Sequence, residues 1–413
     1  MDAAALNNLA SKVETPAFVF RREEFDRRAA LTRDILDDRI GLCYSIKANP
    51  FLVGHLPDTF DRVEVCSPGE LEICIARNVP PEMIIYSGLN KGAEDIARAL
   101  DYGVTCITAE SRLHLDTLAG IMADREGSVD VLIRISARSQ FGIDRREAAT
   151  IIAGRDEFSG LRFAGLHYFT GTQKRKSKEI LRELDFLNRY MDELEADSGF
   201  VPERIEYGTG LPAHLFMEKD ITTLDQAHDG ELTLLKEIAG PLAELSDRAE
   251  VTIEMGRFFA ASCGHYLSGV VDTKTNDGVN YAVIDGGSHQ IRYFGQMQGM
   301  QIPFMDRIGE DAEPAAEDAV DPAAGEVDPA AWTICGSLCT TADVLARNAH
   351  LPGLCAGDVL VFHQAGAYAV YEGMSHFLSR DLPRIYLEEV DGTLTMLRDR
   401  IETNPLNTFA VTC

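Results

Sequence analysis

The segment Tyr44-Ser45-Ile46-Lys47-Ala48-Asn49-Pro50 closes an apolar run on a lysine, an unusual place for an ammonium, which is costly to bury unless paired or neutralised. Burial lowers a lysine's pKa, and the neutral amine can then attack an aldehyde. A lone lysine past a strand end is ordinarily a surface residue, so Lys47 gains meaning only from its company. Glu206-Tyr207-Gly208-Thr209-Gly210 places glycines after a strand, where backbone N–H groups can approach a phosphate closely; alone, such glycines make a tight turn. Glu254-Met255-Gly256-Arg257 follows the apolar run Val251-Thr252-Ile253 and sets a carboxylate beside a guanidinium whose fork suits phosphate or carboxylate. Leu166-His167-Tyr168-Phe169-Thr170-Gly171-Thr172 carries a histidine that is either a core residue or part of a site. Gly336-Ser337-Leu338-Cys339-Thr340-Thr341-Ala342-Asp343 offers a thiol able to deliver a proton, or a structural cysteine. The histidines do not cluster and no HxxEH spacing occurs, so no metal is expected.

These residues need a frame. Short apolar runs (GLCYSI, RVEVCS, MIIYSG, VTCIT, VDVLIRIS, FAGLHYF, RIEYGTG, VTIEMG) alternate with amphipathic, helix-compatible stretches up to about residue 260. Eight strand–helix repeats over that length predict a parallel (β/α)8 barrel, within the α/β class. SIKANP stands where an open dinucleotide-binding sheet would carry its glycine-rich turn, which argues against that fold. The barrel is expected over 23–262. Beyond it the helical periods stop, and SGVVDTK, YAVIDGG, DVLVFH, AYAVY and RIYLEEV predict a mostly antiparallel, β-sandwich-like domain built from 1–22 and 263–413. Within it, 309–330 is rich in carboxylates, Ala and Pro, lacks any basic residue, and is expected to be a solvated, mobile acidic insertion.

Composition narrows the function classes. The 413 residues carry 39 Lys and Arg against 66 Asp and Glu, a formal charge of -27, which disfavours nucleic acid and anionic membranes as partners. No apolar stretch is long enough to span a bilayer, and the N-terminus lacks the basic and apolar regions of a signal peptide. Nine cysteines without CxxC pairs suggest reduced thiols and a cytoplasmic location.

Taken together and in this order, the motifs resemble the alanine-racemase-fold (fold-type III) decarboxylases that use pyridoxal 5′-phosphate, the group of diaminopimelate and eukaryotic-type ornithine decarboxylases. The resemblance implies that Lys47 carries the cofactor covalently. It implies that Gly208, Thr209 and Gly210 hold the phosphate, with Thr209 replacing a middle glycine, and that Thr172 donates to it. Glu254 would keep the pyridine nitrogen protonated and the ring a strong electron sink. Gly256 and Arg257 complete that motif, and Arg257 would hold the phosphate or a substrate carboxylate. Phe169 stands where relatives place a ring-stacking histidine; it can stack but carries no charge. Gly366-Ala367-Tyr368 puts Tyr368 beside the phosphate or ring. The family is homodimeric, and Cys339 would reach the neighbouring subunit's site to reprotonate Cα.

Thr340 bears on specificity. Diaminopimelate and ornithine decarboxylases place a carboxylate there for the substrate's distal amine, and threonine supplies no charge. The resemblance therefore points to the branch acting on acylated or conjugated amino acids in siderophore or antibiotic biosynthesis, with His289, Arg292 and Asp343 as further candidates for the substrate. The run Lys174-Arg175-Lys176-Ser177-Lys178 reads as a solvated helix start. Two alternatives stay open: an amino-acid racemase or epimerase on the same fold, against which Glu254 and Cys339 argue, and a non-catalytic pyridoxal-phosphate-binding protein.

Overall fold

The computed structural model describes residues 3–309 and 328–409. The described residues fall into two compact units, one within Asp26–Pro212 and Asp229–Phe259, the other within Met1–Phe25, Ala213–His228 and Ala260–Cys413.

Strand β1 (Ala17–Arg21) belongs to the second of these. The eight runs named above become β2 (Ile40–Ser45), β3 (Arg62–Val65), β4 (Ile84–Tyr86), β5 (Cys106–Ala109), β6 (Val129–Ile135), β7 (Leu161–Phe169), β8 (Arg204–Gly208) and β9 (Glu250–Met255). They pair in parallel in sequence order and close, β9 onto β2, into the expected barrel. Strands shielded on both faces are mostly apolar, and Cys43, Ile85, Cys106, Leu132 and Ala164 form one buried cluster of the barrel wall; buried Glu64, Glu206 and Glu254 on β3, β8 and β9 are among the exceptions.

Helices α1 (Ala3–Ala10), α2 (Arg22–Leu36), α3 (Pro68–Ala76), α4 (Ala93–Tyr102), α5 (Arg112–Met122), α6 (Arg145–Ala153), α7 (Ser177–Ser198), α8 (Leu224–Ser246) and α9 (Arg257–Ala260) follow in chain order. Several start on the residues that capping physics favours. Ser67 accepts from the Glu70 N–H ahead of α3, Ser111 from His114 ahead of α5, and Asp144 from Arg146 ahead of α6. Ser67 and Ser111 follow closely on β3 and β5, while Asp144 ends a longer loop after β6, and these connections lie at the C-terminal rim, where barrels of this type carry their chemistry.

The other unit is a nine-stranded sheet of β1 with β10 (Gly264–Asn276), β11 (Val279–Ile284), β12 (Met305–Ile308), β13 (Ala331–Cys335), β14 (Val344–His350), β15 (Val359–Phe362), β16 (Arg384–Glu388) and β17 (Leu394–Arg398). Most pairings are antiparallel; β1–β16 and β11–β13 are parallel. Leu6, Leu9, Val19, Leu267 and Val361 form a core beneath it. The segment AYAVY, expected as a strand, is a turn in which Tyr368 takes a φ of 63°. Residues 213–228 group with this unit, where the Met217 N–H donates to the Ile302 carbonyl at 2.8 Å. Most of the acidic stretch 309–330 lies outside the described residues.

Candidate active site

Lys47 sits in a single 3-10 turn, Ile46–Ala48, directly after β2. Its Nζ lies 2.5 Å from Glu64 Oε2, 3.3 Å from Glu254 Oε1 and 3.6 Å from Cys66 Sγ. The expectation of a buried amine is corrected. The side chain keeps 35% of its exposure, and its setting is an open one beside two carboxylates that favour the ammonium by simple attraction.

Glu254, at the end of β9, is held from two further sides. Ser45 Oγ donates to Oε1 at 3.0 Å, and His167 Nε2 lies 2.9 Å from Oε2. Burial works against ionising Glu254, but Lys47, His167 and the hydrogen bond with Glu64 outweigh it and hold the carboxyl well below its usual range. Glu206 behaves oppositely. Burial, then the charge of Glu254, push it well above the carboxylate range, and it shares a hydrogen bond with Cys43. Of the barrel's buried glutamic acids, Glu254 is thus held ionised and Glu206 held neutral.

Gly208 ends β8, and a Cβ there would lie 2.4 Å from the Phe169 ring, so glycine lets that ring pack closely against the strand end. Gly210, with φ of 67°, would put a Cβ 2.1 Å from the Gly171 carbonyl oxygen. This close approach joins the β8 loop to the β7 loop, and Lys174 fastens it: its N–H donates to Gly210 O at 2.9 Å and its Nζ to Thr209 O at 3.0 Å. Lys174 is buried and also pairs with Glu183, so the basic run is not simply a solvated helix start. The Thr209 hydroxyl accepts from the Leu211 N–H at 3.3 Å. Thr172 is exposed on the same loop. Gly256 brings the end of β9 within reach of Ser45 and Ala48, and Arg257 is buried at the start of α9.

The remaining candidates lie in the sheet unit. Cys339 is exposed in a turn, while Thr340 and Tyr368 are partly buried. Asp343 is buried and accepts from the Ser288 N–H and the Leu338 N–H, both at 2.8 Å. Its two oxygens tie the 286–288 and 336–343 loops together, a structural role beside its expected place at the substrate. His289 is buried, with no hydrogen-bond partner on either ring nitrogen, and burial lowers its pKa. Arg292 is exposed and lines a cavity of about 500 Å³ with Ser288 and Ala342.

Glu64 and Cys66 were missed by the sequence reasoning. The available signal was a carboxylate inside an apolar strand, Val63-Glu64-Val65, the same pattern that marks Glu206 and Glu254. Glu110 and Arg134 were missed too. They pair at 3.1 Å, the Gly142 N–H donates to Glu110, and the Arg134 guanidinium lies over the Phe141 ring.

A partly exposed amine, an ionised carboxylate opposite it and a glycine-lined loop with an exposed hydroxyl make a donor set that fits pyridoxal phosphate: an amine for the aldehyde, an acid for the ring nitrogen, a cradle for the phosphate. The comparisons agree. The family profile described as "Pyridoxal-dependent decarboxylase, pyridoxal binding domain" matches residues 22–261. The L-glutamyl-[BtrI acyl-carrier protein] decarboxylase of Niallia circulans is 25% identical, over 96% of this chain and 94% of its own. The 2-[(L-alanin-3-ylcarbamoyl)methyl]-2-hydroxybutanedioate decarboxylase of Staphylococcus aureus is 27% identical, over 84% and 87%. Among solved structures, the diaminopimelate decarboxylase of M. jannaschii in complex with L-lysine superposes with a TM-score of 0.80 at 20% identity, covering 99% of this chain and 94% of that one. These relatives release CO₂, which favours neither a racemase nor a silent binder. The chain belongs to the pyridoxal-dependent decarboxylases, and pyridoxal phosphate is its cofactor.

Proposed function

We propose that this decarboxylase removes CO₂ from Cα of an amino acid whose far end is acylated or otherwise conjugated, not a free ammonium. One observation carries the reading. Thr340 is uncharged, and the next acid along its loop, Asp343, spends both oxygens on backbone N–H groups. An ammonium there would have to leave water with no paired charge from this loop, which is expensive. The substrates named for the Niallia circulans and Staphylococcus aureus relatives, a carrier-bound glutamyl group and a conjugated alanine, support the same class.

In this reading Lys47 would hold the cofactor covalently through Nζ, Phe169 would pack on its ring, and Glu254 would keep a proton on the ring nitrogen. Thr172, Gly208, Thr209, Gly210, Gly256 and Arg257 hold the phosphate, and Tyr368 stands beside it. Bound pyridoxal phosphate supplies an aldehyde for the substrate amine and a cationic ring that accepts the electron pair left by CO₂. Ser45 and His167 orient Glu254, and Glu64 stays beside Nζ to receive or return its proton. Arg257, His289, Arg292 and Thr340 face the substrate's carboxylate and its conjugated end. Cys339 gives Cα its new proton in the neighbouring subunit of a cytoplasmic homodimer, a role its exposed thiol supports. Among the described residues, no helix is long and apolar enough to cross a membrane.

The test is CO₂ release by the holoenzyme from lysine, ornithine, diaminopimelate, glutamate, a glutamyl thioester and citryl-diaminopropionate. The expected outcome is a kcat/KM for one of the conjugates roughly a hundredfold above any free diamino acid, a margin of about 3 kcal/mol. Highest efficiency on lysine, ornithine or diaminopimelate overturns the reading.

A further inference from the structure

Beside the loop that Lys174 fastens, the barrel unit opens a cleft of about 1240 Å³ between the β6–α6 connection and the start of α7, with Thr170 and Thr172 in its wall. A free amino acid needs far less room; pockets that enclose whole drug-sized ligands run to roughly 1,000 Å³. Arg138, Arg145, Arg146 and Arg182 line the cleft, and Lys176 and Lys178 are exposed beside it at the start of α7. Among the described residues, none of these six side chains forms a hydrogen bond or an ion pair. Asp144, Glu179 and Glu183 also line the cleft, Glu183 being paired with Lys174, but in a chain with 66 acids against 39 basic residues the cations still outnumber the acids here, a local reversal of charge.

Their positions cost stability. Arg145 and Arg146 are the first two residues of α6, while Lys176 and Lys178 flank the first residue of α7. The exposed N–H groups of a helix N-terminus make it positive, so cations there are disfavoured and an anion is favoured. Asp144 caps α6 and Glu147 and Glu179 stand in the two first turns, so the helix ends are partly compensated, and an anionic partner would meet the four unpaired cations that remain beside them.

We propose that this face docks a small acidic carrier protein, which delivers the conjugated substrate as a thioester on its phosphopantetheine arm. The inference rests on the conjugated-substrate reading above and names how that substrate arrives. Carboxylates of the carrier meet the exposed arginines, the arm's phosphate meets the helix starts, and the arm enters past Thr170 and Thr172, on the loop assigned to the cofactor phosphate. Nucleic acid is a poor occupant because the rest of the surface repels it at long range. A compact acidic domain touches the patch alone, within the Debye length of about 8 Å at physiological salt.

The experiment compares the holoenzyme with an R145E/R146E/R182E variant, using the glutamyl-loaded BtrI acyl-carrier protein as probe and glutamyl-S-N-acetylcysteamine as the same thioester without a protein. Fluorescence anisotropy of the labelled carrier reads binding apart from turnover, so a protein inactive on both thioesters would defeat the substrate reading and leave the docking result legible. Unchanged cofactor absorbance and thermal unfolding confirm that the variant folds. The expected result is a roughly tenfold weaker Kd and kcat/KM for the carrier, with the acetylcysteamine thioester changed by less than about twofold, and wild-type binding that weakens with salt. Equal carrier affinity in the two proteins overturns the proposal. So does absence of carrier binding by the wild type. An equal loss on the small thioester overturns it as well, by assigning the arginines to a small-anion subsite.

Discussion

His167 Nε2 lies 2.9 Å from Glu254 Oε2, and both side chains are buried. A histidine that the sequence left between core and site thereby supports Glu254, the acid proposed above to keep the cofactor ring protonated. Replacing Glu254 by Gln keeps the shape and removes the charge, so CO₂ release should fall by roughly 10²–10³. His167→Ala leaves the carboxylate in place but loosely held, and the loss should be smaller, about tenfold. Steady-state kcat on the best substrate checks both. A His167 variant as damaged as the Glu254 one would show that the histidine does more than position.

Glu254 and Glu206, both buried, should answer the same substitution with opposite signs. The folded pKa of Glu254 is depressed, so its contribution to stability is complete above the unfolded carboxylate value and lost as pH falls through the folded one. The folded pKa of Glu206 is raised, by burial first. Its contribution is complete below the unfolded value and is lost as pH rises from there toward the folded one. At pH 7, Glu254→Gln should lower the urea midpoint and Glu206→Gln should leave it unchanged or raise it. The advantage of Glu206→Gln should grow from about pH 4.5 upward. Same-sign shifts at pH 7 would sink the assignment of one charged and one neutral acid.

How much of this was legible beforehand depends on whether a residue's role is local. The eight barrel strands could be read because each is a short, largely apolar run, several of them followed by a capped helix; Lys47, Gly208 and Glu254 were singled out because each stands at or just past the end of such a run. Glu64 could not be weighted, since its value lies in being 2.5 Å from Lys47, a distance set by strand pairing across β2 and β3. Lys47 looked buried for the same reason: the sequence shows the apolar strand before it but not the open rim it enters. The loop-tying role of Asp343 could not be read because its two backbone N–H partners come from Ser288, on a loop distant in sequence, and from Leu338, where only the folded turn aims the N–H inward. AYAVY has the composition of a strand, but the positive φ of Tyr368 ends any ladder there.

Gly210 separates cradle geometry from glycine flexibility. With a φ of 67° and the Gly171 carbonyl oxygen 2.1 Å from where a Cβ would stand, Gly210→Ala is a backbone clash, and not merely a strained conformation. The variant should lose about 2 kcal/mol or more in urea unfolding and bind pyridoxal phosphate more weakly, because the loop that Lys174 fastens must shift. Gly120, exposed in α5 with nothing within 4 Å, is the control; Gly120→Ala should add up to about 1 kcal/mol. If Gly210→Ala matches wild type in cofactor affinity, the β8 loop is not the phosphate cradle.

Lys91 gives an alkaline signature that no carboxylate can imitate. It is buried, donates to the Gly88 carbonyl, and burial, partly offset by Glu110, lowers its pKa to about 8. Below that pH the fold must keep a buried ammonium. The unfolded chain holds its proton up to about 10.4, so between the two values the unfolded state binds more protons and stability rises with pH. Lys91→Met removes the titration and loses the hydrogen bond at every pH. Wild type should therefore gain on the variant by a few kcal/mol between pH 8 and pH 10, measured as the difference in unfolding free energy. Tyrosines and other lysines titrate in both proteins and cancel in that difference. A flat or falling difference over this window would mean that the Lys91 amine reaches water, and that the rim around Gly88 and Glu110 is wetter than the packing indicates.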